Sequence, residues 1–158
     1  MTPRRAARAG RARERSARYA GGRTGPVVVD ASIAFLWFAN EPDRWGAARL
    51  LESASTLLAP DLMIAEVANA WRKKLRRREM APADVEQAVT NLLALGIEWV
   101  ASGQLVMPAA RLAAELGHSV YDCLYLALAA SNSAPLATID EGLQRAGQRL
   151  GVRIWRSP

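Results

Sequence analysis

The chain has 158 residues, 51% of them hydrophobic, and a formal net charge of +6. That length and apolar fraction predict a single domain with its own core. No apolar stretch approaches the roughly 20 residues of a membrane helix. One cysteine (Cys123) excludes a disulfide scaffold and points to a reducing, cytoplasmic setting, and one histidine (His118) beside it is too little for a zinc module.

The charge is unevenly distributed. Residues 1–25 hold eight arginines against one acid, Glu14, so the remaining residues carry a net of −1. The basic character therefore belongs to a tail, which past Met1 is apolar only at its alanines and Tyr19 and runs into Gly21-Gly22-Arg23-Thr24-Gly25-Pro26. Such a segment buries too little surface to offset its ordering entropy and is expected to be disordered. Arg4-Arg5 lacks the apolar run of a twin-arginine export signal. The expected division is a basic tail over 1–25 and a folded domain over 26–158.

From Val27 onward, short β runs alternate with helical patterns. Val27–Val29 reads as a buried strand ending at Asp30, and Ile33–Ala39 as a helix leading through Asn40-Glu41-Pro42 to a second helix near 43–53. Thr56–Ala59 is a strand closed by Pro60. Asp61 is placed to cap a long helix over about 62–79. Pro82 opens a further helix whose Val85, Ala88, Val89, Leu92 and Leu93 recur at helical spacing, and Gly96 ends it. Ile97–Val100 is a third strand, followed by helices at about 105–117 and 120–132. Leu136–Thr138 is a fourth strand, 141–149 a helix, and Val152–Trp155 a fifth strand. Strands that are apolar throughout and separated by helices predict an α/β protein, a three-layer α/β/α sandwich on a mainly parallel five-stranded sheet. Right-handed crossovers then gather the strand C-termini on one edge, where such sheets bind ligands.

Acids fall on that edge. Asp30 follows the first strand, Asp140 follows the fourth, and Asp122 opens the helix at 120–132. Asp30 and Asp140 also suit helix N-caps, and Ser119-x-x-Asp122 loosely matches a capping box. Glu66 is different: Met63, Ile64, Ala65, Val67, Ala68, Ala70 and Trp71 surround it on all sides of its helix, which predicts burial. A lone buried carboxylate costs several kcal/mol unless paired or bound to a metal. Asn69, at i+3, is placed to hydrogen-bond it. Carboxylates about 4 Å apart repel by roughly 4 kcal/mol per pair at an effective dielectric near 20. No lysine or arginine adjoins any of the four in sequence. An all-oxygen cluster of this kind suits a hard divalent ion, Mg²⁺ or Mn²⁺.

Val27-Val28-Val29-Asp30-Ala31-Ser32, Pro60-x₅-Glu66-Val67-Ala68-Asn69, Tyr121-Asp122-x₄-Ala127 and Thr138-Ile139-Asp140, in this order, resemble the PIN domain in the form found in VapC-type toxins of toxin–antitoxin pairs. The resemblance runs from about Val27 to Trp155 and omits the tail. It implies a metal-dependent endoribonuclease with Asp30, Glu66, Asp122 and Asp140 as catalytic and metal-binding acids, one or two Mg²⁺ or Mn²⁺ ions, Ser32 and Thr138 as polar neighbours, and Asn69 as support for Glu66. It further implies an RNA substrate, an antitoxin partner and a homodimer. Glu141 beside Asp140 lies outside the pattern.

Other features carry less. Arg72-Lys73-Lys74-x-Arg76-Arg77-Arg78 packs six positive charges into seven residues. It reads equally as a solvated helix end, where cations suit the dipole, or as an RNA-gripping rim formed by Arg72, Lys73, Arg76 and Arg77. Cys123, beside Asp122 in an apolar run, reads as core, and most of the five tryptophans do too. Trp37 and Phe38 are placed either in the core or toward a partner. A phosphoacceptor receiver domain would need paired acids after the first strand, and a haloacid-dehalogenase phosphatase Asp-x-Asp; Asp30-Ala31-Ser32 gives neither. A non-catalytic nucleic-acid-binding module and a structure-specific DNA nuclease are the remaining alternatives.

Overall fold

A computed structural model describes residues 25–38 and 44–157. Residues 1–24 of the arginine-rich tail, the predicted loop and helix ends at 39–43, and Pro158 lie outside the described residues. In chain order the elements are β1 (Val27–Val29), α1 (Ala31–Leu36), α2 (Arg44–Ser53), β2 (Leu57–Pro60), α3 (Leu62–Arg76), α4 (Pro82–Leu93), β3 (Glu98–Val100), α5 (Ser102–Leu116), α6 (Val120–Asn132), β4 (Leu136–Ala137) and α7 (Glu141–Arg149). The strands form one parallel sheet in the order β3-β2-β1-β4. β1 thus pairs with β2 on one side (Val28 beside Leu58) and with β4 on the other (Val28 beside Leu136). The chain reverses its winding between β1 and β4, and the crevice at such a switch point is where open parallel sheets place their ligands.

β1 is wholly buried, as its three consecutive valines require of a strand covered on both faces. α6 is apolar around its whole circumference: Cys123 through Ala129 are all buried, and the helix packs against β1, β2 and β4. α3 packs against α1 and α4, while α5 packs along α6. No helix among the described residues is long and apolar enough to cross a membrane.

The sheet has four strands rather than the five expected. Val152–Trp155 runs beside β4, but only Ile154 forms a bridge, to Leu136, flanked by hydrogen bonds from the Leu136 amide to the Arg153 carbonyl and from the Trp155 amide to the Leu136 carbonyl. β4 is two residues long, so its partner finds too short a ladder to become a strand. α3 ends at Arg76 instead of continuing to 79. Arg78 adopts φ 58°, and the Arg78 and Glu79 amides donate back to Leu75 and Lys74, closing a left-handed C-terminal turn. α5 starts three residues earlier than expected because Asp61 does not cap α3. Its carboxylate accepts from the Ser102 amide (2.9 Å) and the Ser102 hydroxyl, while Ser102 Oγ accepts from the Leu62 amide (3.3 Å). One Asp–Ser pair thus serves the starts of two helices.

Candidate active site

Asp30 follows β1 at the switch point and is 8% exposed. It caps α1, its Oδ2 accepting from the Ser32 amide (3.4 Å), the Ser32 hydroxyl (2.5 Å) and the Thr138 hydroxyl (2.8 Å). These three bonds converge on one oxygen and leave Oδ1 outside their network. Burial pushes the Asp30 carboxyl up from its ordinary value, against the opposing pull of the Ser32 and Thr138 hydroxyls.

Thr138, itself buried, connects two acids. Its hydroxyl donates to Asp30 and accepts from the Asp140 amide at 3.0 Å. Asp140 in turn caps α7, its Oδ1 accepting from the Leu143 amide at 2.7 Å. Capping and membership of the acidic group are therefore compatible at Asp30 and Asp140, because a cap occupies one carboxylate oxygen and leaves the other.

Gly117, at φ +69°, ends α5 in the left-handed conformation and turns the chain into His118 and Ser119. Ser119 caps α6 by accepting from the Asp122 amide at 3.1 Å, which sets Asp122 in the first turn. His118 Nδ1 stands 3.8 Å from Asp122 Oδ2. The His118 ring also borders Gly142: a β-carbon there would meet Asp140 Oδ1 at 3.1 Å and His118 Cε1 at 3.6 Å. The imidazole thus stands beside Asp122 and near the start of α7, which Asp140 caps.

Glu66 is half-buried rather than enclosed, because α3 is amphipathic: Met63, Val67 and Trp71 are buried, while Ala65 and Asn69 are exposed. Its polar partner is not Asn69, whose Oδ1 accepts from Arg72 Nε at 3.2 Å. Instead the buried Tyr125 phenol on α6 donates to Glu66 Oε2 at 2.5 Å. Burial raises the Glu66 carboxyl, the Tyr125 hydrogen bond pulls it down, and the charges of Asp30 and Asp122 raise it again. Burial, followed by the same Asp30 and Glu66 charges, raises the Tyr125 phenol and keeps it a donor.

Tyr125 was not anticipated as a site residue. The available signal was its place one turn beyond Asp122 on α6, which turns both toward the same side. Cys123 is a buried, free thiol raised by burial and by Asp122, as a core cysteine should be.

The charges of Asp30 and Asp122 thus act on Glu66, and Asp140 joins through Thr138. No lysine or arginine forms an ion pair with any of the four among the described residues. This donor set, all hard oxygen with unrelieved negative charge, fits a divalent cation of the magnesium class. The coordination sphere is not preassembled, however: among the described residues no three metal-binding side chains are grouped closely enough to hold an ion.

Beside Glu66 an open cleft of about 430 Å³ lies between α1 and α3, bounded by Ser32, Phe35, Ala70 and Ile139. Lys73, Arg76 and Arg77 line a second concavity at the end of α3. Trp37 and Phe38 pack onto the core, Trp37 donating to the Ala47 carbonyl and Phe38 meeting Trp71 edge-on.

Residues 27–148 match the family model described as PIN domain. Ribonuclease VapC9 of Mycobacterium tuberculosis is 32% identical over 122 residues, covering 77% of this chain and 91% of that protein. The crystal structure of PAE2754 from Pyrobaculum aerophilum superposes with a TM-score of 0.63 at 24% identity, covering 81% of this chain and 84% of that one. VapC20 of Mycobacterium tuberculosis, a toxin that cleaves the sarcin-ricin loop, gives 0.61 at 16% identity, covering 77% and 95%. The family match spans every strand and all four acids, and the chain belongs to the PIN domain family.

Proposed function

We propose that this protein is a metal-dependent endoribonuclease that hydrolyses RNA phosphodiester bonds as the toxin of a type II toxin–antitoxin pair. The observation that carries the reading is the acidic group at the sheet's switch point: Thr138 joins Asp30 to Asp140, the charges of Asp30 and Asp122 act on Glu66, and no lysine or arginine pairs with any of the four among the described residues. The kinship with VapC ribonucleases supplies the substrate class.

Asp30, Glu66, Asp122 and Asp140 would hold one or two Mg²⁺ or Mn²⁺ ions. Such an ion, when bound, offsets the phosphate charge and acidifies the attacking water. The chain's own residues prepare the ligands. Ser32 and Thr138 fix Asp30 by one oxygen, and Tyr125 fixes Glu66 by Oε2. His118 stands beside Asp122. Arg72, Lys73, Arg76 and Arg77 would meet the flanking phosphates. An antitoxin protein would hold the toxin inactive, the active form would be a homodimer, and the work would be done in the cytoplasm.

The test is cleavage of single-stranded RNA by the full-length protein with Mg²⁺ or Mn²⁺. Cleavage should stop with a chelator and in Asp30→Asn, Glu66→Gln and Asp122→Asn. RNA bound but left intact under all these conditions would make the protein a binding module. Cutting of branched or hairpin DNA in preference to RNA would make it a DNA nuclease.

A further inference from the structure

α3 carries both Glu66 and the basic run, and their spacing relates them. At 3.6 residues per turn, Lys73 stands two turns beyond Glu66 and Arg77, the C-cap, stands three turns beyond. Both fall within about 20° of the Glu66 direction around the helix axis, at about 10 and 16 Å along it. Lys73, Arg76 and Arg77 are exposed, have no carboxylate ion pair among the described residues, and line one concavity of about 340 Å³.

Their neighbour Lys74 differs. It points off this stripe, is partly buried, pairs with Glu79 at 3.6 Å and lies over the Phe35 ring at 5.3 Å. The helix dipole accounts for cations in the last turn in general; of the exposed ones, Lys73 and Arg77 share the Glu66 side, while Arg76 and Arg72 stand about 80° and 120° from it. The left-handed turn at Arg78 ends the helix just after Arg77, so the stripe stops there.

We infer that α3 is a rail for the backbone of single-stranded RNA, with Lys73 and Arg77 holding phosphates a few nucleotides to one side of the bond cut at Glu66. The inference rests on the ribonuclease reading and deepens it. A polyanion must approach four carboxylates, and cations collinear with one of them supply the guiding charge. A straight basic line suits an extended strand, whose backbone such grooves track without reading sequence. The substrate would therefore need several nucleotides on one side of the scissile bond and few on the other.

The test compares the full-length protein with its Lys73→Gln/Arg77→Gln double variant, and with Arg111→Gln, an exposed arginine on α5, as control. The arginine-rich tail is common to all three, so it cancels. RNA oligonucleotides are extended by several nucleotides on one side, on the other, or on neither, and binding is followed by fluorescence anisotropy across a salt series without divalent ions. The expected result is a double variant whose salt slope of log affinity is shallower by about 1.4, at about 0.7 per single-strand phosphate contact. Its KM should rise several-fold more for one extension polarity than for the other or for the unextended substrate, with the change in KM exceeding that in kcat; Arg111→Gln should match the parent. An unchanged slope and KM in a parent enzyme that cleaves RNA overturns the rail and leaves the ribonuclease reading standing. Loss of binding to an acidic peptide with RNA kinetics unchanged also overturns it. A parent that binds RNA but never cuts it refutes the ribonuclease reading instead, and the anisotropy slope still decides whether the rail exists.

Discussion

The Tyr125 phenol donates its hydrogen bond to Oε2 of Glu66 across 59 residues of sequence, tying the one acid carried by α3 to the central helix of the domain. The bond lowers the Glu66 carboxyl against three influences that raise it: burial and the charges of Asp30 and Asp122. Tyr125→Phe keeps the ring's packing and deletes only the donor. Its expected stability cost is about 1 kcal/mol, the net worth of one hydrogen bond. The more telling effect is on ionisation: without its donor Glu66 takes up a proton at higher pH, so the acid limb of the RNA-cleavage profile should move upward. A profile that keeps its position while activity falls would assign Tyr125 to packing alone.

Asp30 and Glu66 both hold their protons more tightly in the fold than in the unfolded chain, where ordinary values are 3.8 and 4.5. Across that interval the native state binds more protons, so stability falls as pH rises. Each group's favourable contribution is fully present below its unfolded value and is lost as pH passes through its raised folded value. Glu66→Gln removes the effect at one site. In a chelator, its melting temperature relative to the parent should rise from the carboxylate range toward neutrality. A difference that stays flat with pH would contradict the raised Glu66 carboxyl.

The meeting of Asp30 and Asp140 was legible because a parallel sheet turns sequence order into spatial order. Asp30 follows β1 and Asp140 follows β4, so adjacency of those strands brings the two residues to one crevice. The partner of Glu66 was not legible. Asn69 is its neighbour along the helix, whereas Tyr125 belongs to another helix and sits in an apolar run that reads as core, which it also is. Asp61 shows the same limit: a capping residue directly before α3 serves mainly α5, because tertiary packing brings Ser102 to it. The fifth strand failed for want of length in β4, a property of its neighbour rather than of its own sequence.

The Asp61–Ser102 pair offers a structural control. Asp61 is held below its ordinary value by the Ser102 hydroxyl and amide, so its contribution is present above the unfolded value and fades as pH falls through the folded one. Asp61→Ala should cost about 1 kcal/mol, as the loss of a helix cap does, and should leave the pH profile of RNA cleavage unmoved. A shift in that profile would bring the α3–α5 junction into the chemistry.

The PIN match begins at residue 27, and β1 with it. Removing residues 1–25 takes away eight arginines and no part of the core described above. The melting temperature should therefore stay within the scatter of repeated measurements, while RNA affinity at low salt falls through loss of charge. A large drop in melting temperature would place part of the tail against the domain.

The charge arrangement also predicts how the protein responds to metal without any substrate. The charges of Asp30 and Asp122 raise the Glu66 carboxyl, and no lysine or arginine pairs with any of the three among the described residues, so a divalent cation relieves a repulsion the fold leaves in place. Binding to the native state alone stabilises it by about 2.7 kcal/mol at a hundredfold excess over Kd. Mg²⁺ and Mn²⁺ should therefore raise the melting temperature of the parent in a concentration-dependent way, and Ca²⁺, which takes more oxygen ligands at longer distances, should raise it less. Because the ligands must draw together, Asp30→Asn and Glu66→Gln should each start more stable than the parent in chelator and gain much less from the ion. Equal gains in parent and variants would locate the metal elsewhere on the molecule.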